Sequence, residues 1–202
     1  RNQILLLELP QTHEDELPKR LHIIDQTSQQ LGLLLDELLN LAMLDHLEQR
    51  FRSFNPMEML AEIVDELGAT IIKNHIEVVL ETTDPKTTLE GDRVLLRQVF
   101  LNIITNAIKF CQGQPNPKIT IRHLHGPLRH IVTVADNGIG IEAKELDHIF
   151  ELFVKGKNAL GIEGAGAGLA IAKKIVMKHS GEISASANEE GGLTITVGLP
   201  NK

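Results

Sequence analysis

The sequence predicts an α+β fold in two parts, a helical hairpin followed by an α/β sandwich. Two observations support this prediction. Apolar residues before residue 52 recur at heptad spacing, which is typical of helices that pack side by side. Beyond residue 52 the predicted strands and helices come in separate runs, and this order favours an α+β sandwich over a doubly wound parallel sheet.

The N-terminal helical part is expected to form a dimerisation hairpin over residues 1–52. Its heptad positions are Leu21, Ile24, Ser28, Leu31, Leu35, Leu38 and Ala42. Further leucines widen this apolar stripe, so that more than one neighbouring helix is needed to cover it. A polar segment from Pro10 to Pro18 separates this helix from a short apolar helix at 1–9. Two such hairpins, one from each of two chains, would close a four-helix bundle, and we therefore expect a homodimer.

The second part is expected over residues 53–202. Ser53-Phe54-Asn55-Pro56 is typical of a helix start, with a polar cap followed by Pro. Gly181 is predicted as the left-handed residue that ends the last helix. The predicted helices are 56–73, 92–110 and 168–179, and the predicted strands are 76–80, 118–122, 130–135, 182–187 and 193–199.

The composition excludes some classes of partner. Of the 202 residues 42% are apolar, and the formal net charge is −7. The chain contains no Trp, no Tyr and only six Phe, so we expect no base-stacking surface, and its negative charge repels a polyanion. We therefore expect no nucleic-acid partner. The single cysteine, Cys111, cannot form an internal disulfide, which suits a reducing compartment.

The sequence contains no run of the roughly 18 to 20 apolar residues that spans a bilayer, and it shows no signal peptide. It begins at Arg1, without a Met, inside an apolar helical pattern. We expect a cytoplasmic piece of a longer protein, attached to a membrane only through parts outside these residues.

Three polar side chains share one face of the predicted helix 92–110. Asn102, Asn106 and Lys109 stand at positions i, i+4 and i+7. An amide oxygen can ligate Mg²⁺, and a Lys neutralises phosphate charge without competing for the metal. This pattern alone does not distinguish a phosphate site from a solvated face with an incidental Lys. The residues expected on the buried side of the helix are Leu95, Leu96, Val99, Phe100, Ile103, Ala107 and Ile108.

Two glycine-rich stretches follow this helix. Asp136 ends a predicted strand, where its carboxylate could accept a hydrogen bond from an exocyclic amine, and Gly138 and Gly140 would let the backbone approach a flat ligand closely. Taken alone, this stretch is more simply a turn. The second stretch, 164–168, opens a helix whose N-terminal amides could bind an anion, although a flexible loop is the alternative. Together and in this order, the helix face and the two stretches predict a nucleotide pocket.

Four motifs together resemble those of the bacterial two-component sensor histidine kinases. Residues 97–110 resemble the N box of that family, 136–141 the G1 box, 149–153 the F box and 164–171 the G2 box. The motifs stand in the order of the family, and the flanking patterns extend the likeness over almost the whole chain. The resemblance implies a Bergerat-type (GHKL) ATP-binding fold in residues 53–202. It also implies an ATP-dependent protein histidine kinase of a two-component signalling system.

The resemblance also implies roles for individual residues. Asn106 would ligate Mg²⁺ with assistance from Asn102, Lys109 would contact phosphate, and Asp136 would recognise adenine. Residues 141–168 would form a mobile lid over the bound ATP. The catalytic residues would be Asn102, Asn106 and Lys109. The other expected contacts with ATP are Gly138, Gly140, Ile141, Phe153, Lys155, Gly164, Gly166, Gly168 and Leu169.

One motif of the family is missing. The phosphoacceptor of the family lies in a box resembling His-Glu/Asp-x-Arg-x-x-Leu, and this sequence contains no such box. Arg1-Asn2-Gln3-Ile4 resembles the tail of the box, which would place the acceptor His three residues before Arg1. We therefore expect the fragment to bind ATP without phosphorylating itself. His13 and His22 are expected to be ordinary surface residues.

The resemblance implies two kinds of protein partner, a second copy through the N-terminal helices and a response regulator or receiver domain. A different class of function stays open, that of an ATP-binding regulatory pseudokinase or dimerisation module. The intact Asn106, Asp136 and glycine stretches favour the kinase.

Overall fold

A computed structural model describes residues 48–154 and 166–201, together with part of the N-terminal helix. The described residues of that helix are Leu21, Ile24, Asp25, Ser28, Gly32, Leu35, Leu38, Leu39 and 41–44, and each of them is helical. The predicted short helix at 1–9 and the turn after it lie outside the described residues.

In the described part of the chain from residue 52 onward, four helices stand among seven strands, most of which follow one another in pairs. The elements are β1 Arg52–Phe54, α1 Pro56–Glu66, α2 Gly68–Lys73, β2 Glu77–Thr82, β3 Leu89–Gly91, α3 Arg93–Cys111, β4 Lys118–His125, β5 Arg129–Asp136, a 3-10 turn Ala143–Glu145, α4 Gly168–Lys178, β6 Glu182–Ala187 and β7 Leu193–Pro200.

Five of the strands form one mixed sheet in the order β2-β4-β5-β7-β6. The pair β2 and β4 is parallel, and the other three pairs are antiparallel. Alternate side chains, such as Ile119 and Ile121 on β4, are buried in the core that α3 and α4 share with the sheet. This arrangement confirms the predicted α+β class.

The central helix of the core is α3. The Asp92 carboxylate caps its start, because Oδ1 accepts hydrogen bonds from the backbone N–H groups of Val94 (3.1 Å) and Leu95 (3.2 Å). Within the described residues, α3 is the one helix long and apolar enough to cross a membrane, and its buried apolar side accounts for that composition. All seven residues predicted for the buried side are buried, and Ile104 and Cys111 join them.

Three differences from the prediction concern short or terminal features. The predicted helix 56–73 is two helices that meet at Leu67, just before Gly68, which is a poor helix former. Strands β1 and β3 pair with each other and were not predicted, since three residues are too few to show alternation.

Gly181 does not take the left-handed position at the end of α4. Ser180 does, with φ 58°. The N–H of Ser180 donates to Met177 O (2.9 Å) and that of Gly181 to Val176 O (3.0 Å), which is the Schellman pattern. Gly181 is needed for another reason, because a Cβ there would lie 2.5 Å from the Gly198 carbonyl oxygen.

The N-terminal helix contacts α4, and the segment that follows the helix contacts the start of α3. The Lys174 ammonium donates to Leu41 O at 3.1 Å, and Lys178 donates to Leu44 O. The Arg50 N–H donates to Asp92 Oδ2 at 2.9 Å. Asp92 therefore uses one oxygen to cap α3 and the other to hold the segment that follows the N-terminal helix.

Three histidines stack at the end of the sheet opposite to Asp136. His123 and His130 are buried, with Nε2 of His123 3.1 Å from Nδ1 of His130, and the His125 ring stacks on His130 at 4.6 Å between centroids. Burial and the neighbouring His130 and His125 lower the pKa of His123 to about 4, and Asp84 opposes them. Burial and His125 lower the pKa of His130 as well. His123 and His130 are therefore neutral in the folded protein at physiological pH.

The histidine stack predicts that acid destabilises the fold well above the pKa of ordinary carboxylates. The unfolded chain protonates His123 near pH 6.5, whereas the folded chain keeps it neutral down to about pH 4. Stability therefore falls as the pH drops through this window. When the pH is lowered from about 7.5 to 5, the unfolding free energy of His123→Gln should fall by about 2 kcal/mol less than that of the wild type. Urea unfolding at both pH values measures this difference.

The control is His75→Asn, at an exposed histidine whose left-handed backbone (φ 53°) Asn tolerates. It should keep the pH dependence of the wild type. Equal pH dependence in His123→Gln and the wild type would contradict the account of the stack.

Candidate functional site

The carboxylate of Asp136 is buried at the end of β5, with 6% of the residue exposed. Its Oδ1 accepts hydrogen bonds from the N–H groups of Gly138 (2.9 Å) and Leu193 (3.3 Å). Burial raises the pKa of this carboxyl, and the two amide bonds act in the opposite direction. Its Oδ2 accepts no hydrogen bond from any described residue. One oxygen is thus fixed by the backbone while the other is left for a donor.

Gly138 and Gly140 are required by close contacts, as predicted, but the contacts are with the protein itself. A Cβ on Gly138 would lie 2.5 Å from Phe110 O, at the end of α3, and the neighbouring Ile139 N–H donates to that same oxygen at 3.1 Å. A Cβ on Gly140, which has φ 62°, would lie 2.3 Å from Gly191 O. These glycines let the loop after β5 lie flat against the end of α3 and the β6–β7 turn.

The turn between β6 and β7 belongs to the same cluster, which the sequence did not reveal. The Asn188 side chain donates from Nδ2 to Asp136 O at 2.7 Å, and its Oδ1 accepts from the Gly192 N–H at 3.0 Å. A Cβ on Gly192 would lie 2.0 Å from Asp136 O. The only sequence signal was a hairpin loop with two glycines, and such a signal does not identify a neighbour 52 residues away.

Asn102, Asn106 and Lys109 lie on the side of α3 that is only partly buried. The Asn102 side chain donates from Nδ2 to Gly168 O at 3.0 Å, so it joins α3 to the first turn of α4. Among the described residues, the Asn106 amide and the Lys109 ammonium have no hydrogen-bond partner. The structure thus leaves one amide and one amine of the predicted set available for a ligand.

The N-terminus of α4 is open. Its capping residue, Ala167, offers no side-chain hydrogen bond to the amides of the first turn, and Leu169 in that turn packs against the core. Uncapped amides at a helix N-terminus attract anions.

The predicted lid is described only at its two ends. The Phe153 N–H donates to Gly166 O at 3.1 Å, which joins these ends. Phe153 is 47% exposed and has φ 64°, an unusual conformation for a bulky residue. Ile141 packs against the core at the start of the lid. Of the predicted contacts with ATP, Lys155 and Gly164 lie outside the described residues.

Phe150 anchors the N-terminal end of the lid. It is buried with Ile149, and the Lys173 ammonium of α4 lies 5.7 Å from the centroid of its ring. Two residues of the predicted F box thus belong to the core.

The described part of the chain contains no group of three or more His, Cys, Asp or Glu residues that could hold a metal ion. Among the described side chains of α3, the amide oxygens of Asn106 and Asn102 are available as oxygen donors. This donor set fits Mg²⁺ better than a transition metal, because Mg²⁺ takes oxygen ligands and keeps several waters alongside phosphate oxygens.

Comparisons with known proteins define the class. Residues 91–202 match the family model described as histidine kinase-, DNA gyrase B-, and HSP90-like ATPase. The chain belongs to this ATPase family. Its relatives place it among the two-component sensor histidine kinases, which confirms the resemblance found in the motifs.

Two relatives show the extent of the likeness. The chain is 29% identical over 194 residues to the sensor histidine kinase WalK of Bacillus subtilis (strain 168), covering 94% of this chain and 32% of that protein. It is 32% identical over 199 residues to the sensor protein kinase WalK of Staphylococcus aureus, covering 93% of this chain and 46% of that protein. The chain thus spans about a third to a half of the length of these curated relatives.

Solved structures agree with this assignment. The catalytic domain of the histidine kinase ThkA superposes with a TM-score of 0.68 at 29% identity, over 75% of this chain and 98% of that one. ThkA in complex with the response regulator protein TrrA superposes with a TM-score of 0.73 at 26% identity, over 97% of this chain and 53% of that one. The Bergerat-type fold of the ATP-binding part is therefore confirmed.

The contact between Gly192 and Asp136 predicts that a single methyl group at residue 192 disrupts this cluster. Gly192→Ala should lower the unfolding free energy by roughly 1 to 3 kcal/mol, because the added Cβ would meet backbone atoms of Asp136 and not the end of a flexible side chain. Gly68→Ala is the control, since a Cβ at Gly68 has nothing within 4 Å. Urea unfolding of both variants checks this. Equal stability of the two variants would contradict the described packing.

Proposed function

We propose that residues 53–202 are the ATP-binding catalytic domain of a protein histidine kinase and that residues 1–52 form its dimerisation hairpin. The observation that carries this proposal is the Asp136 carboxylate, which is buried with one oxygen held by two backbone amides and the other without a donor among the described residues. The family of the chain supports ATP as the nucleotide.

The adenine end of the site is Asp136 and the loop after it. The exocyclic amine of adenine would donate to Asp136 Oδ2, the oxygen that accepts no hydrogen bond from the described residues. A buried acceptor without competing water gives such a hydrogen bond more weight than it has at the surface. Gly138, Gly140 and Ile141 would form the wall of the base pocket, and the lid segment with Phe153, Lys155 and Gly164 would cover the nucleotide.

The phosphate end lies between α3 and α4. Lys109 would neutralise phosphate charge, and the open N-terminus of α4, from Gly166 to Leu169, would bind phosphate oxygens with its amides. Asn106 would hold Mg²⁺, which when bound neutralises the charge that develops on the phosphates. The bond from Asn102 to Gly168 holds the two helices in register, so we assign Asn102 the role of positioning α4 while its amide oxygen assists at the metal.

The reaction is transfer of the γ-phosphoryl group to an imidazole nitrogen. A neutral imidazole nitrogen is nucleophilic near physiological pH. The bond from the γ-phosphorus to the bridging oxygen breaks, a bond forms from the phosphorus to the unprotonated imidazole nitrogen, ADP leaves, and the proton on the other ring nitrogen passes to a neighbouring base. The chain supplies positioning and charge neutralisation, which are the main requirements of phosphoryl transfer.

We propose that the phosphoacceptor is a histidine outside this sequence. The sequence has nine histidines, and none has the context of the family's acceptor box. The 202-residue chain should therefore bind ATP without acquiring acid-labile phosphate from γ-labelled ATP, and label on His13 or His22 would contradict this. The crystallised complex of ThkA with TrrA supports a response regulator as the next acceptor of the phosphoryl group. ATP and such partners suggest the cytoplasm as the place of action.

A homodimer is proposed through the N-terminal helices. The described heptad residues Leu21, Ile24, Leu35 and Leu38 are exposed in the single chain. A repeating apolar seam of this kind is stabilised when a second copy covers it. Sedimentation at micromolar concentration checks this proposal, which a stable monomer would contradict.

The role of Asp136 predicts a loss of nucleotide affinity when its charge is removed. Asp136→Asn should weaken the binding of ADP with Mg²⁺ by about ten- to a hundredfold, the effect of losing a hydrogen bond to a charged acceptor. Isothermal titration calorimetry measures this change. Asp65→Asn, at an exposed carboxylate on α1, is the control and should bind ADP as the wild type does. Unchanged binding by Asp136→Asn would contradict the proposed site.

A further inference from the structure

The β6–β7 turn holds the backbone of Asp136 through one side chain. Asn188 donates to Asp136 O at 2.7 Å and accepts from the Gly192 N–H at 3.0 Å. The backbone also closes the turn, because the Asn188 N–H donates to Gly192 O at 3.2 Å. The two ends of the turn and the end of β5 are therefore joined by one amide side chain.

The packing in this cluster leaves little room for the turn to shift. Gly192 lies against the carbonyl of Asp136, and Gly140 lies against the carbonyl of Gly191, both closer than a Cβ would permit. A displacement of the turn would therefore move the backbone on both sides of the Asp136 carboxylate. Asn188 is the polar side chain that keeps these segments together.

The same turn fixes the carboxylate itself. The Leu193 N–H, one residue beyond Gly192, donates to Asp136 Oδ1 at 3.3 Å, and the Gly138 N–H donates to that oxygen from the other side at 2.9 Å. Two donors on Oδ1 prevent rotation of the carboxylate and leave Oδ2 as the oxygen that a base can reach. If the turn moved, the bond from Leu193 would lengthen and the carboxylate could rotate.

We infer that Asn188 is a positioning residue that sets the discrimination between 6-amino and 6-oxo purine nucleotides at Asp136. This inference rests on the proposed nucleotide site. A 6-amino purine donates a hydrogen bond to a fixed carboxylate oxygen. A 6-oxo purine presents an oxygen there instead, and two acceptors in contact leave a buried group unpaired. A carboxylate that can rotate away relieves this repulsion, so discrimination weakens.

The test compares ADP with IDP, which carries the 6-oxo base hypoxanthine. Calorimetric titrations in Mg²⁺ would give the dissociation constants of both nucleotides for the wild type and for Asn188→Ala. We expect the ADP affinity of the variant to fall about five- to tenfold, as expected for one or two lost hydrogen bonds, while its IDP affinity changes by less than about twofold. The ratio of ADP affinity to IDP affinity should therefore fall by about the same factor of five to ten.

The matched control is Asn201→Ala. Asn201 also donates a side-chain hydrogen bond to a loop carbonyl, Gly126 O at 3.0 Å, but it lies beyond the opposite end of β7. This variant should keep the wild-type ratio of ADP to IDP affinity. Asn188→Asp is a second variant that keeps an acceptor for the Gly192 N–H and loses the donation to Asp136 O. It should narrow the ratio as well, and circular dichroism would verify that both variants are folded.

The outcomes separate the two claims. A narrowed ratio in both Asn188 variants supports the inference. Equal weakening of ADP and IDP, with the ratio unchanged, would show that Asn188 only stabilises the turn and would overturn the inference while leaving the nucleotide site intact. A wild-type chain that binds neither nucleotide would overturn the proposed function and the inference together.

Discussion

Burying the carboxylate of Asp136 at the end of a central strand has a large desolvation cost, and this end of the domain is organised to offset it. Two backbone amides donate to one oxygen, one from the loop after β5 and one from the start of β7. These amides are brought there by segments that are far apart in the sequence. The loop contacts the end of α3 and the β6–β7 turn through backbone, and the turn contacts the backbone of Asp136, at distances that exclude a side chain at Gly138, Gly140 and Gly192.

Helix α3 connects this end of the domain with the rest of the molecule. Its apolar side fills the core, and its other side carries Asn102, Asn106 and Lys109. Its first residue follows Asp92, which also accepts a hydrogen bond from the Arg50 N–H. Its last turn accepts a hydrogen bond from Ile139 in the loop after β5. This one helix and its cap therefore contact the segment after the N-terminal helix, the first turn of α4 and the loop after β5.

The sequence predicted those parts of this arrangement that depend on local pattern. The periodicity of residues 92–110 predicted the buried side of α3 correctly, because a helix between a sheet and other helices needs a wide apolar stripe. Alternation predicted the long strands, whereas β1 and β3, with three residues each, are too short to show it. Gly181 was assigned to the left-handed position by residue type alone, and the close packing on Gly198 explains why a glycine is there instead.

The part of the site that the sequence did not predict depends on long-range contact. Asp136, Gly138 and Gly140 were identified from their spacing, but the close contacts of the two glycines with the protein backbone were not predicted. Asn188 belongs to an ordinary hairpin loop by composition, and only the folded chain brings it to Asp136. Asn102 similarly shares a helix face with Asn106, yet its amide nitrogen is used within the protein.

The central claim is that Asp136 keeps one oxygen bound by the backbone and offers the other to the amine of adenine. A crystal structure of the chain with Mg²⁺ and a non-hydrolysable ATP analogue tests it most directly. We expect the exocyclic nitrogen of adenine about 3 Å from Asp136 Oδ2, with Gly138 and Leu193 still bound to Oδ1. An adenine that contacts other groups, or an Asp136 carboxylate that keeps its present contacts while the base lies elsewhere, would contradict the account.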